Sequence, residues 1–362
     1  MLKNISIIPT RIFTNNLTKG GIFIKNTNLK QYFPMLKTRS QIMEEIIQNH
    51  NLSDMFASWR KKQQEEFLDF CSGARGVKLL YDSFFKEILN PEYAAERLEE
   101  FLSLLLGQQV KIVQILPNDS VRIADEGTLL ITDIVIELEN GSIANIEVQK
   151  IGYMFPGQRC ACYSADLLLR QYKRIRDKKE GQFSYKNIRD VYTIVLYEKS
   201  PAEFKEYPTI YVHRAEQKTD SGLELELLQK YIFIPLDIFK ENQHNKPIRS
   251  KLDAWFMFLC MDEPEEIIRL IESYPEFRVL YKEIYELCQN TEKVMGMFSK
   301  ELLELDRNTV QYMIDDMQDT INGQQDTINE QKSLLKQKDD ILQQQTDEIT
   351  ILKQQLAKLQ GK

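Results

Sequence analysis

The chain has 362 residues, 43% hydrophobic and 28% charged, the balance of an ordinary folded protein with room for one large domain plus appendages, or for two domains. No apolar run reaches the roughly 18 residues of a membrane-spanning helix, and five scattered cysteines without a CxxC pair, with His50, His213 and His244 far from zinc spacing, argue against a structural zinc site and fit reduced thiols in a cytoplasm. The net charge of −7 excludes a generally basic nucleic-acid binder, so any contact with DNA has to use a local basic surface.

Residues 1–39 show no persistent period. Lys3, Arg11, Lys19, Lys25 and Lys30 are spread through Asn/Thr-rich sequence that holds no acidic residue. Three readings stay open: a disordered leader with Met35 beginning the folded protein, a basic arm touching DNA, or an organelle-type presequence. From Ser40 the pattern turns helical. Ile42, Met43, Ile46 and Ile47 form one apolar face, and Phe67, Leu68 and Phe70 belong to a further helix. Val77, Leu80, Phe84, Phe85 and Ile88 stripe a helix that stops near Asn90-Pro91, and Leu98 to Leu106 form a heavily buried one closed by Gly107. A strand is predicted over Val110–Leu116, turned by Pro117-Asn118-Asp119.

The stretch from Leu129 to Lys150 is a β-hairpin around Glu139-Asn140-Gly141-Ser142. Ile134, Ile136 and Leu138 alternate with Asp133, Val135 and Glu137; Ala144, Ile146 and Val148 alternate with Asn145, Glu147 and Gln149. A two-residue Asn-Gly turn would set Asp133 opposite Val148, on the wrong face. A three-residue loop with Gly141 left-handed and a G1 bulge pairs Leu138 with Ser142 and puts Asp133 opposite Glu147, with Gln149 on the diagonal. Only this register keeps the apolar face intact. Two carboxylates facing each other repel unless a cation lies between them, an arrangement suited to an oxygen-loving divalent ion, Mg²⁺ or Mn²⁺.

Downstream, Pro156-Gly157 opens a long helix to about Lys179, with Gln158, Arg159 and Tyr163 near the mouth of the carboxylate site and Arg170, Lys173, Arg174 and Arg176 towards its far end. Arg159 is placed either to hold a phosphate oxygen or to orient Glu147. The four basic residues are the best surface for a DNA backbone, or else a solvated helix end. Val191–Tyr197, apolar throughout, reads as a central strand, with further strands over Tyr207–Arg214 and Tyr231–Pro235. Residues 250–306 are helical, restarting at Pro264 and Pro275.

Asp133, a hairpin and Glu147-Val148-Gln149 resemble the PD-(D/E)XK nuclease core, with Gln149 where that pattern usually has lysine. With Asp82-Ser83-Phe84-Phe85-Lys86 upstream and Gln158-Arg159-Cys160-Ala161-Cys162-Tyr163 downstream, the chain is similar over residues 35–310 to PD-(D/E)XK transposase-like proteins related to recombination-promoting nucleases. The resemblance implies an α/β (α+β, mixed-sheet) restriction-endonuclease-like αβββαβ core. It also implies catalytic Asp133, Glu147 and Gln149, the first two being metal ligands, and an acidic residue on the first core helix, for which Glu87 ranks slightly ahead of Asp82. Gln149 can hydrogen-bond a water but brings no positive charge, which bears on turnover rather than on metal binding.

From Ile314 the tail changes character. Ile314, Ile321, Ile328, Leu335, Leu342, Ile349 and Leu356 recur every seven residues, and Met317, Gln324, Gln331, Lys338, Gln345, Leu352 and Leu359 sit three later. That is an a/d heptad with an apolar a column and a polar middle at d. It predicts a homo-oligomeric coiled coil, against a frayed low-complexity tail. The expected organisation is a leader over 1–39, a nuclease-like core with its N-terminal helices over 40–245, a helical subdomain over 246–308 and a coiled coil over 309–362. The expected function is Mg²⁺-dependent DNA cleavage in the cytoplasm, with no membrane contact, serving DNA mobility or recombination. The alternatives are a catalytically weak or inactive DNA-binding scaffold and an RNase using the same metal site.

Overall fold

A computed structural model describes residues 29–116, 133–152, 155–178, 181–244 and 246–360. The expectations for 1–28, for the Pro117–Asp119 turn and for Leu129–Thr132 lie outside these residues. Residues 29–39, expected to belong to a leader, are part of the fold. A 3₁₀ turn at Leu29–Gln31 leads Leu29, Phe33 and Leu36 into the core, where the Phe33 ring lies 4.9 Å from that of Tyr285. Three apolar residues in so short a segment set up no period, and their burial is decided by tertiary contact.

Helices α1 (Arg39–Gln48), α2 (His50–Ser58) and α3 (Lys61–Ser72) follow. Thr38 and Gln41 close a reciprocal capping box at the start of α1. Ile42 and Ile46 are buried, but Ile47 is exposed; at about 100° per residue it has rotated off their face. Next come α4 (Asp82–Ile88), with Val77 and Leu80 buried in the turns before it, and α5 (Ala95–Leu106), which ends on left-handed Gly107 at φ 68°.

The sheet has six strands: β1 (Ile112–Ile115), β2 (Ile134–Leu138), β3 (Ile143–Gln149), β4 (Val191–Tyr197), β5 (His213–Glu216) and β6 (Gln229–Pro235). Helix α6 (Pro156–Lys178) joins β3 to β4, and a short α7 (Ala202–Lys205) follows β4. The order is β1-β2-β3-β4-β6-β5. Strand β2 runs antiparallel to both of its neighbours, β1 and β3; β3, β4 and β6 run parallel, and β5 returns antiparallel on the edge. Strand β4 is central and fully buried, as its unbroken apolar run implies. The strand expected from Tyr207 begins only at His213, because Pro208 and Thr209 form a turn.

The β2–β3 hairpin takes the bulged register. Ile134 pairs with Ile146 and Ile136 with Ala144. The Leu138 N–H donates to the Ser142 carbonyl at 2.9 Å, the Gly141 N–H to the Leu138 carbonyl at 2.8 Å, and Gly141 is left-handed at φ 83°. Ile134, Ile136, Leu138, Ala144 and Ile146 therefore share one face with Ile194, Leu196, Ile232 and Ile234. That face packs into a continuous core with α1–α5 and with α8 (Leu236–Gln243), α9 (Lys251–Cys260), α10 (Pro264–Ser273), α11 (Phe277–Leu287) and the start of α12 (Thr291–Gln360). The helices expected as a subdomain over 246–308 thus share their core with the sheet. The opposite sheet face is covered by α6, through Leu167 against Val135, Ile143 and Val191 and through Cys160 against Val195 and Tyr197.

Helix α12 starts at Thr291, well before residue 309, and runs unbroken through Gly323. Val294, Met295, Phe298 and Glu301 are buried; all seven a residues from Ile314 to Leu356 are exposed. Among the described residues, no helix is long and apolar enough to cross a membrane.

Candidate active site

The parallel strands end together, and the site forms at that end between the sheet and the first turns of α6. Asp133 lies one residue before β2, so continuing the ladder by one pair brings it opposite Glu147. Its Oδ2 accepts the Val148 N–H at 2.7 Å. Glu147 and Gln149 are each only 5% exposed. Asn145 Nδ2 donates to Glu147 Oε1 at 3.2 Å, whereas Gln149 Oε1 is buried with no hydrogen-bond partner among the described residues. Both carboxyls are harder to ionise than usual. Burial pushes Asp133 up to about 6, with Lys86 opposing the rise and Asp82 adding to it. Burial, and then the facing Asp133, raise Glu147 well above the carboxylate range.

Helix α4 supplies the remaining charge. Lys86 Nζ lies 2.7 Å from Asp82 Oδ1 and 3.3 Å from Asp133 Oδ1, so one ammonium bridges two carboxylates. Burial works against the Lys86 charge, but Asp133 and Asp82 outweigh it and move its pKa up. The acidic residue that α4 brings to the site is therefore Asp82 and not Glu87, which pairs with Lys293 at 2.6 Å. The reason is helical phase: Asp82 and Lys86 are four apart on one face, and Glu87 is turned about 100° from it. Lys86 was visible in sequence only as part of a string; its i,i+4 spacing from Asp82 was the available signal. The α4 N-terminus is held from outside, the Asp82 N–H donating to Glu301 Oε2 of α12 at 2.8 Å. Glu301 also pairs with buried Lys150, whose Nζ lies 4.6 Å from the centre of the Tyr81 ring.

On α6, Arg159 Nη2 donates to the Tyr163 hydroxyl at 3.4 Å. Burial and the Glu147 charge push both the Tyr163 phenol and the Cys160 thiol up to about 12. Tyr163 and Cys160 thus border Glu147, with Arg159 next to Tyr163, while Gln158 is exposed on the first turn. Phe155, just before the helix, is half-exposed with φ 58°, a backbone conformation that is uncommon for a bulky residue.

The four basic residues expected as one DNA-backbone surface are divided. Arg170 pairs with Asp166, one turn earlier on the same helix, and Arg174 reaches Glu137 of β2 at 3.3 Å. Lys173 and Arg176 are exposed, Arg176 donating to the Tyr172 hydroxyl at 3.0 Å.

Among the described residues, no group of three or more His, Cys, Asp or Glu side chains stands at metal-ligand spacing. The donors on hand are two carboxylates and an amide. Asp133, Glu147 and the Gln149 oxygen, unpartnered among the described residues, are all hard oxygen donors. They fit Mg²⁺ or Mn²⁺ and not a sulfur- or nitrogen-preferring metal. A large open cleft beside Asn140, Ser142, Asp190 and Lys230 lies at the other end of the strands and includes none of these donors.

A family model described as PD-(D/E)XK nuclease family transposase matches residues 79–313, from just before α4 into the exposed part of α12. No curated protein and no solved structure matches the chain.

Proposed function

The chain belongs to the PD-(D/E)XK nuclease family transposases, and from that premise we propose that it is a divalent-metal-dependent DNA endonuclease acting in DNA mobility or recombination. The observation that carries the proposal is the pair Asp133 and Glu147, opposed across a bulged hairpin and both desolvated. The succession of a helix, three antiparallel strands, α6 and β4 supports reading the sheet as the family's αβββαβ core. Asp133 and Glu147 hold Mg²⁺ or Mn²⁺, and Gln149 Oε1 either adds a neutral ligand or orients the attacking water. An ion bound there lowers the pKa of a water and neutralises charge gathering on the scissile phosphate. Arg159 is within reach of a non-bridging phosphate oxygen, and Lys173 and Arg176 follow the backbone beyond the site.

The exposed a column of α12 pairs with a second copy, giving a coiled coil over 309–362 that brings two active sites to one duplex. All five cysteines are free thiols, which supports a cytoplasmic setting. Incubation with supercoiled plasmid tests the proposal. Wild type nicks it with Mg²⁺ or Mn²⁺, and Asp133→Ala and Glu147→Ala abolish nicking; nicking that persists in both variants removes the assignment. The neutral Gln149 favours, as a second reading, a DNA-binding scaffold with weak or no catalysis. Saturable DNA binding without nicking by wild type would select it.

A further inference from the structure

Gln149 leaves its strand position without a charge, and the other nearby lysine is engaged elsewhere. Lys150 is 8% exposed at its side chain, paired with Glu301 and lying over the Tyr81 ring. Lys86 comes from a different element and reaches Asp133, as well as Asp82 on its own helix. Its side chain is 34% exposed and that of Asp133 17%, whereas Glu147 and Gln149 are buried. Its root is rigid, because Phe84, Phe85 and Ile88 anchor α4 in the core and Glu301 holds the first turn of the helix.

We propose that Lys86 is the catalytic cation of this site, touching a non-bridging oxygen of the scissile phosphate and stabilising the charge that gathers there. The assignment rests on the metal-nuclease reading and adds a residue to it. At 3.3 Å from Asp133 Oδ1, the ammonium also competes with a divalent ion for that carboxylate. Removing it therefore has two effects of opposite sign, tighter metal binding and slower cleavage. A merely structural lysine would weaken both.

The experiment measures Mn²⁺ binding by calorimetry and plasmid nicking by wild type, Lys86→Met, Lys86→Arg and Lys86→Met/Gln149→Lys. Circular dichroism confirms that each variant is folded. For Lys86→Met, Mn²⁺ binding tightens about fivefold by loss of the competing charge, and nicking falls by about 10² or more. Lys86→Arg retains most of the nicking, and Gln149→Lys in the Lys86→Met background restores at least about tenfold by supplying the charge from β3. Unchanged nicking, or weaker Mn²⁺ binding, in Lys86→Met overturns the Lys86 assignment while leaving the metal-nuclease reading in place. A wild type that neither binds Mn²⁺ nor nicks DNA overturns both.

Discussion

Replacing Asp133 by Asn asks what the buried carboxylate costs. The rise in its pKa from 3.8 to about 6 corresponds to about 3 kcal/mol of disfavoured charge near neutral pH. Asn is isosteric and keeps an oxygen to accept the Val148 N–H, so the hairpin end stays closed. Lys86 loses one partner but keeps Asp82. About 3 kcal/mol is therefore a ceiling, and a net gain of about 1–3 kcal/mol is expected without metal, or about 1–2 °C in Tm per kcal/mol at this size. The folded state holds the Asp133 proton more tightly than the unfolded chain does. Its contribution is fully present below about pH 4 and is lost as pH rises through about 6. Thermal denaturation in chelator, near pH 4 and near pH 7.5, should show the Asp133→Asn variant and wild type close together at the lower pH and the variant more stable at the higher. A variant less stable at the higher pH, or a difference that ignores pH, would refute the reasoning.

The same protonation opposes metal binding. Mn²⁺ affinity by calorimetry should weaken as pH falls, by about tenfold per unit for each proton displaced, with Asp133 adding its proton below about 6, and Glu147→Gln should abolish it. The Lys150–Glu301 pair is buried, with Glu301 at 0% side-chain exposure; Glu301→Ala strands the Lys150 ammonium and should cost about 3–5 kcal/mol in denaturant unfolding. Charges placed in the α12 a column, Ile328→Asp with Leu335→Asp, should convert an oligomer to a monomer in light scattering without lowering the Tm of the globular part.

What could be read in advance follows from how local each signal is. The hairpin is legible because strict alternation fixes the faces and only a bulged turn at Asn140-Gly141 keeps the apolar face intact, so one short stretch sets Asp133 opposite Glu147. The apolar run Val191–Tyr197 announced a central strand for the same reason. Lys86 was harder, since the choice between Asp82 and Glu87 depends on the phase of α4 against the sheet, which tertiary packing decides. The basic residues of α6 misled as a group. Arg174 meets Glu137, distant in sequence, and Arg170 meets Asp166 on the side of the helix turned towards the protein. Leu29, Phe33 and Leu36 gave no periodic signal, although their burial carries the folded core to residues before Met35.

The central claim is that Asp133 and Glu147 grip one hard cation, and an anomalous difference map from Mn²⁺-soaked crystals tests it most directly. One peak within oxygen-ligand distance of both carboxylates, and near Gln149 Oε1, is the predicted result. A site empty of density at saturating Mn²⁺, or a peak held by other residues, would contradict the account.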